Sequence, residues 1–311
     1  MKTKPRAQLG SSLILALFVM SLVASACASM MFYFSLEVKR AQVVNRNIDM
    51  MLLARGSLAW AVDELNTHLK NKKPNQLLDK MPLVSVAEME DGVTITSTLE
   101  DAQQYFNINA LTESKLLPNF AHLIMLSIPD IKSEQAMQLA TAVRQWITPE
   151  AQNPTQDYFY ANLKEGLRVP AAPMAHISEL RMVQGFNAKM FNALLPNLIA
   201  LPNDAKLNIN TAQPLVLSSL DESLTPSLIK KIVTLRATNP FLSTDKFTGL
   251  DEIKNTGKNL GEKITVNSDF FLLKTDVATL QTHMILYTLL HRSLKNNQPL
   301  TVVIWQSKGA I

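Results

Sequence analysis

QLGSSLILALFVM, residues 8–20, decides how the rest of the chain is read. Lys2, Lys4 and Arg6 precede it, and no residue from Ala7 to Leu36 is charged. At a rise of about 1.5 Å per residue, a helix of that length spans the roughly 30 Å hydrocarbon core of a bilayer. Basic residues before the run and a large polar body after it put the amino terminus in the cytoplasm and the body on the far side. The open question is which machinery reads the junction between Gly10 and Ser11.

Three readings compete. An ordinary signal peptide needs a small-x-small site, and Ala24-Ser25-Ala26 or Ala26-Cys27-Ala28 would serve. A lipoprotein signal ends in cysteine, and Ala24-Ser25-Ala26-Cys27 matches loosely, without the usual leucine three residues before the cysteine. A pilin-type leader is short and basic and ends in glycine, which residues 1–10 satisfy. Either signal-peptide cut leaves MMFYFSLEV near the start of the mature chain, an awkward beginning for a soluble domain.

Beyond that stretch the pattern stays helical. Val44, Ile48, Met51, Leu52, Leu58, Val62, Leu65 and Leu69 recur mostly at three- and four-residue intervals, with Lys39, Arg40, Arg46, Arg55 and Glu64 among them. Gly56 weakens such a helix by about 1 kcal/mol relative to alanine without ending it. The economical reading is one helix from about Ser11 to Leu69, on the order of 90 Å long. Its first part, 11–36, lies in the membrane, and 37–70 continues into the periplasm. A helix of this kind at the start of a mature chain is the building element of pilins.

Composition agrees with a membrane segment plus a globular body: 311 residues, 47% apolar and 18% charged. The net charge of +4 is nearly accounted for by the three leader cations, so it does not argue for nucleic acid. Cys27 is the only cysteine, which excludes an intramolecular disulfide, a CxxC redox pair and a thiolate zinc site.

After Lys70, NKKPNQ breaks the helix, and LVSVAEMEDGVTITSTLED (83–101) reads as a hairpin turning at Asp91-Gly92. From about Gln103 to Leu250 the periodicity is helical, in LLPNFAHLIMLS, EQAMQLATAVRQWI, MFNALLPNLIAL and PSLIKKIVTLRA. ITVNSDFFLLKTDVAT, HMILYTLLHRS and PLTVVIWQS return to strand-like runs. The expected fold is α+β: a pilin-like long N-terminal helix on a small antiparallel sheet (71–102 and 251–311), with a large α-helical domain (103–250) inserted between strands, since a sheet tolerates a long excursion between neighbours.

In this order of elements the chain resembles the minor pseudopilin K component of bacterial type II secretion, the general secretion pathway protein K family. The resemblance is carried by Asp101 with YFNINAL (105–111), VRQWI (143–147), ISELRMVQGF (177–186) and LPNDAKLNINTAQPLVLSSL (201–220). It extends to the junction. Most pilins carry glutamate five residues after the cut, the K component lacks it, and the position here is Leu15. A carboxylate in the apolar segment is costly unless it meets a partner such as the free amine of the next subunit. A subunit without it is not recruited onto a neighbour in that way but can itself be capped from below, as a terminal subunit requires.

The resemblance implies a non-enzymatic, single-pass subunit of the Gram-negative inner membrane. A prepilin peptidase would cut it after Gly10, and Ser11 would be N-methylated. Its implied place is the pseudopilus tip, initiating assembly with I- and J-type minor pseudopilins above the H-type and major pseudopilin fibre, in contact with the inner-membrane assembly platform and the secretin. Ser11, in place of an aromatic residue, is atypical of pilins at large. Some relatives bind calcium, but Gln145 and Thr148 flank Trp146-Ile147 here, leaving only Glu150 and Asp157 nearby, so no calcium site or other cofactor is assigned.

The rival reading is a membrane- or lipid-anchored DNA-binding protein. LNINTAQPLVLSSLDESLTPSLIKKIVTLRATNPFLSTDKF resembles helix-hairpin-helix modules, with ISELRMVQGFNAKMFNALLPNL as a weaker copy keeping Gly185. Asp221 and Glu222 stand where phosphate would approach and would repel it, with Lys230, Lys231 and Arg236 on a solvated face. No HExxH, GxSxG or P-loop pattern is present, and His68, His122, His176, His283 and His291 form no catalytic spacing. Glu88/Glu90 and Asp221/Glu222 are paired carboxylates in solvated turns without a partner for acid/base work.

Overall fold

In the computed structural model of the chain, residues 9–70, 81–89, 92–149, 154–162, 166, 168–254, 260–280 and 282–309 are described. Two compact units divide the chain, 1–53 and 54–311. Helix α1, Leu9–Lys70, begins two residues before the expected Ser11 and enters both units. Residues 1–8 of the expected leader lie outside the described residues.

In the second unit, the end of α1 packs on a five-stranded antiparallel sheet in the order β1 (Leu83–Glu88), β2 (Thr94–Asp101), β7 (Phe270–Ala278), β8 (His283–Lys295), β9 (Gln298–Lys308). Ala61 and Leu65 of α1 are buried against Leu99, Phe271, Leu273 and Leu290, with Leu58 and Trp60 beside them. Alanine at the point of closest approach lets the helix settle on the strands. β2 shows the two-residue period of a sheet covered on one side: Ile95, Ser97, Leu99 and Asp101 are buried, while their neighbours are half-buried. The β8–β9 hairpin turns on Asn296 and Asn297, both with positive φ (52° and 60°), the backbone that matches the twist of paired strands. At the β1–β2 turn Gly92 has φ 70°, and Asp91 lies outside the described residues.

β2 and β7 are neighbours, with Asp101 opposite Phe271. Everything from Ala102 to Asp269 is therefore an excursion between two adjacent strands, and it ends beside the point where it began. Residues 251–254 and 260–269 go with the excursion, because β6 (Ile264–Thr265) pairs in parallel with β5 (Leu207–Asn208) and not with the sheet, and Ile253 and Leu260 join the excursion's core. A second parallel pair joins β3 (Phe106–Asn107) to β4 (Leu198–Ile199).

The excursion is helical: α2 (Leu117–Ser127), α3 (Ser133–Ile147), α4 (Pro154–Ala161), α5 (Ala188–Leu194), α6 (Pro214–Ser219), α7 (Pro226–Thr238), α8 (Thr244–Thr248) and α9 (Leu260–Lys263). α7 starts where Thr225 Oγ1 accepts the Leu228 amide at 3.4 Å and Pro226 stands inside the first turn. Its core is separate from that of the sheet. Phe120, Leu123, Ile124, Val143, Trp146, Leu180, Leu217 and Ile232 are all at most 1% exposed. The Trp146 ring meets Tyr160 edge-on at 5.2 Å, and its indole N–H donates to Glu179 at 3.5 Å. The Trp-centred segment is thus a core anchor.

Candidate functional site

Two features set this chain apart from an ordinary globular protein, an uncovered apolar helix and the joint that carries the excursion. Along the helix, Leu13, Ile14, Leu15, Leu17 and Phe18 are at least 59% exposed. The most apolar 18-residue window has a mean hydropathy of 2.3 and no buried share. Apolar surface of that extent is the kind that lipid covers. The Ser35 hydroxyl is satisfied within the helix, donating to Phe32 O at 2.8 Å. Exposed Phe32, Tyr33 and Phe34 end the run, and the Glu37–Arg40 ion pair at 2.7 Å follows. Aromatic then charged residues mark the level of a membrane interface.

Gly10 and Ser11 are helical, and Leu15 is one turn beyond Ser11 on the same face. Leu15 is 64% exposed and Cys27 is a free, exposed thiol.

The joint is built around Asp101, 1% exposed at the end of β2. Its carboxylate accepts from Gln103 N (2.8 Å), Ser268 Oγ (2.7 Å), Asn208 Nδ2 (3.1 Å) and Thr211 Oγ1. These donors come from both ends of the excursion and from its middle, so one side chain ties the departing strand to β5 and to the returning segment. Burial pushes the Asp101 carboxyl above the ordinary carboxylate value, and the four hydrogen bonds act against that rise. Gln103 completes the closure. Its Nε2 donates to Lys206 O at 2.7 Å, and its Oε1 accepts Asp269 N at 2.6 Å and Phe270 N at 3.2 Å. Arg292 of β8, 2% exposed, donates to Ser268 O at 2.9 Å and lies 4.7 Å over the Phe271 ring.

The same device recurs twice in the stretches Asn107-Ile108-Asn109 and Asn208-Ile209-Asn210. Each first asparagine accepts the amide of the second through its side chain, at 3.2 and 3.0 Å, and each leads out of a two-residue parallel pair. Asn109 then binds Met174 N, Met174 O and Leu201 O, while Asn210 binds Phe241 N and O. Buried amides that saturate loop backbone in this way hold the fold. The repeated N-I-N, inside the two stretches YFNINAL and LNINTAQ, is the sequence signal for these turns.

The helix-hairpin-helix surface lacks the features phosphate binding needs. The Ser223 amide, where a phosphate would dock, is occupied by Asp221 Oδ1 at 3.0 Å. Arg236 is not on a solvated face as expected: it is half-buried and donates to Ile209 O (2.7 Å) and Ala212 O (2.8 Å). Lys230 and Lys231 are exposed, and Lys231 pairs with Glu252. Gly185 is favoured by its backbone, since φ is 92°, and a Cβ there would also press on Leu139 Cδ2 at 2.8 Å. Gly185→Ala is expected to cost about 1–3 kcal/mol of stability, read as a lower melting temperature with no change in nucleic-acid retention.

The remaining candidates scatter. His68 meets Glu64 at 3.2 Å, His176 caps a turn through Ser178, His283 is exposed and His291 stacks on Phe270 at 4.7 Å. Glu88 is exposed at the end of β1; Glu90 and Glu150, and the Asp157 side chain, lie outside the described residues. Among the described residues no three His, Cys, Asp or Glu side chains converge as a metal site would require.

Two family models described as "Type II secretion system (T2SS), protein K" match residues 104–203 and 207–267. Type II secretion system protein K of Pectobacterium carotovorum is 30% identical over 221 residues, 65% of this chain and 67% of that protein. The protein of that name from Pseudomonas aeruginosa is 25% identical over 303 residues, 92% of this chain and 90% of its own length. Among solved structures, the fold is similar to a chain in the GspK-GspI-GspJ complex of the enterotoxigenic Escherichia coli type 2 secretion system. That match has a TM-score of 0.74 at 22% identity, covering 88% of this chain and all of that one.

Proposed function

Because the chain belongs to the type II secretion system protein K family, we propose that it forms the tip of the periplasmic pseudopilus and initiates its assembly. The chain is a minor pseudopilin, and the family is a structural component of secretion machinery. We read this member as non-enzymatic. The observation that carries the tip reading is the excursion from Ala102 to Asp269, mounted between two adjacent strands. A bulk of that size is hard to repeat along a closely packed fibre and easy to carry once at its end. Leu15 supports the same place: without a carboxylate there, the subunit has nothing to offer the amine of a subunit above.

The apolar helix is long enough for a single-pass anchor. The proposed orientation, from the basic residues 2–6, is amino terminus in the cytoplasm and body in the periplasm. GspK of the E. coli complex was solved with GspI and GspJ. Equivalent I- and J-type subunits are the partners proposed here, with the H-type and major pseudopilins, the assembly platform and the secretin as further contacts.

Mass spectrometry of the mature amino terminus tests the processing. A start at N-methylated Ser11 is expected, and a lipid on Cys27 or a start near residue 27 or 29 would overturn it. Leu15→Glu should place an unpaired carboxylate in the bilayer and reduce secretion severalfold. Unchanged secretion would count against the tip.

A further inference from the structure

At the seam between sheet and excursion, beside the start of β1, lies a cleft of about 550 Å³. Its polar wall is a chain of side chains. Gln213 Nε2 donates to Gln104 Oε1 at 3.1 Å, Gln104 Nε2 to Glu100 Oε2 at 3.2 Å, and Tyr105 Oη to Glu100 Oε1 at 3.1 Å. Each Glu100 oxygen therefore holds one neutral donor and keeps one acceptor direction open.

Among the described residues Glu100 enters no ion pair. Lys274, whose field reaches it, is exposed and unbonded to it. A half-buried carboxylate without a counter-ion among the described residues is a costly arrangement. The other charged groups of the cleft are committed, Asp101 to its four donors and Arg236 to two carbonyl oxygens. Facing the polar wall, Met81, Val233 and Ala237 offer apolar surface suited to the stem of a long cationic side chain.

We propose that this cleft receives an arginine side chain of a protein partner, its guanidinium bridging the two oxygens of Glu100. A carboxylate with one free direction on each oxygen matches the planar two-pronged donor better than a point charge. The approach is also provided. β1 is an edge strand, Val84 and Val86 on it are exposed, and Pro82 at its start lines the cleft. A partner segment extended along β1 would pair with that edge and deliver its side chain at the end.

The test is isothermal titration of the full chain in detergent micelles with Ac-Val-Arg-Val-NH2 and its glutamine and lysine analogues. The arginine peptide should bind with a Kd on the order of 1 mM. It should bind at least about tenfold more tightly than the glutamine peptide, with lysine between. Glu100→Gln should erase the preference with a melting temperature no lower than that of the wild type. No binding of the arginine peptide, equal binding of all three, or a preference that survives Glu100→Gln overturns the proposal. Should Glu100→Gln fold poorly, Ala237→Trp fills the cleft from an exposed position on α7, and arginine binding that persists in it has the same consequence.

Discussion

Asp101→Ala should lower the stability of the body by roughly 3–5 kcal/mol, the sum of two or three buried donors left without an acceptor at about 1–3 kcal/mol each. For a unit of this size that is roughly 6–20 °C in melting temperature. The Gln103 amide, the Ser268 and Thr211 hydroxyls and the Asn208 amide all aim at this carboxylate, and Gln103, Asn208 and Ser268 are buried. The conservative variant separates charge from hydrogen bonding. The Asp101 carboxyl is raised above its unfolded value because burial outweighs its donors. Between those two values the folded chain binds more protons than the unfolded one, so this group makes the body more stable as pH falls through the window. Asp101→Asn should flatten that slope while costing less than alanine, because hydroxyl donors can turn to meet the amide. A wild-type slope of opposite sign that Asn also removes would show the carboxylate is stabilised by its site.

Gly10→Asp is expected to act on processing and to be all-or-none. If the junction is read by a peptidase requiring a small residue before the cut, the variant keeps residues 1–10 and stays in the membrane. Secretion then falls to background, while the body melts as wild type does. Intact-mass analysis of the membrane fraction, run beside a secretion assay, reads both. A variant processed normally would move the cut elsewhere and revive the readings centred on Cys27.

The elements visible in the sequence are those whose neighbours are local. α3 was legible because Leu139, Val143, Trp146 and Ile147 repeat at helical spacing, and β7 to β9 because their β-branched and aromatic runs are bounded by turn residues. The place where the excursion closes was not. Residues 251–269 carry strand-like ITV, yet what assigns β6 is a parallel partner at Leu207–Asn208, which no local pattern announces. Arg236 misled for a related reason. It stands in the same cationic stretch as Lys230 and Lys231, but five and six residues on it lies about 120–140° around the helix from them, where carbonyl groups of the Ile209–Ala212 turn take its guanidinium. The cleft at Glu100 was invisible too, since it exists only where β2, the loop 210–213 and α7 meet.

The register that sets Asp101 opposite Phe271 has a consequence for the order of events during synthesis. β1 and β2 emerge first, yet the strand that must flank β2 follows only after the whole excursion, roughly 10–30 s later at common elongation rates. Until then β2 is an unprotected edge, the kind that invites pairing with the wrong chain. Its outward residues, Thr94, Thr96, Thr98 and Glu100, are polar, which limits that hazard. The excursion also has its own core, so it can fold in the interval. Once folded, it holds the two ends of the gap close together and turns a distant strand pairing into a nearly local one.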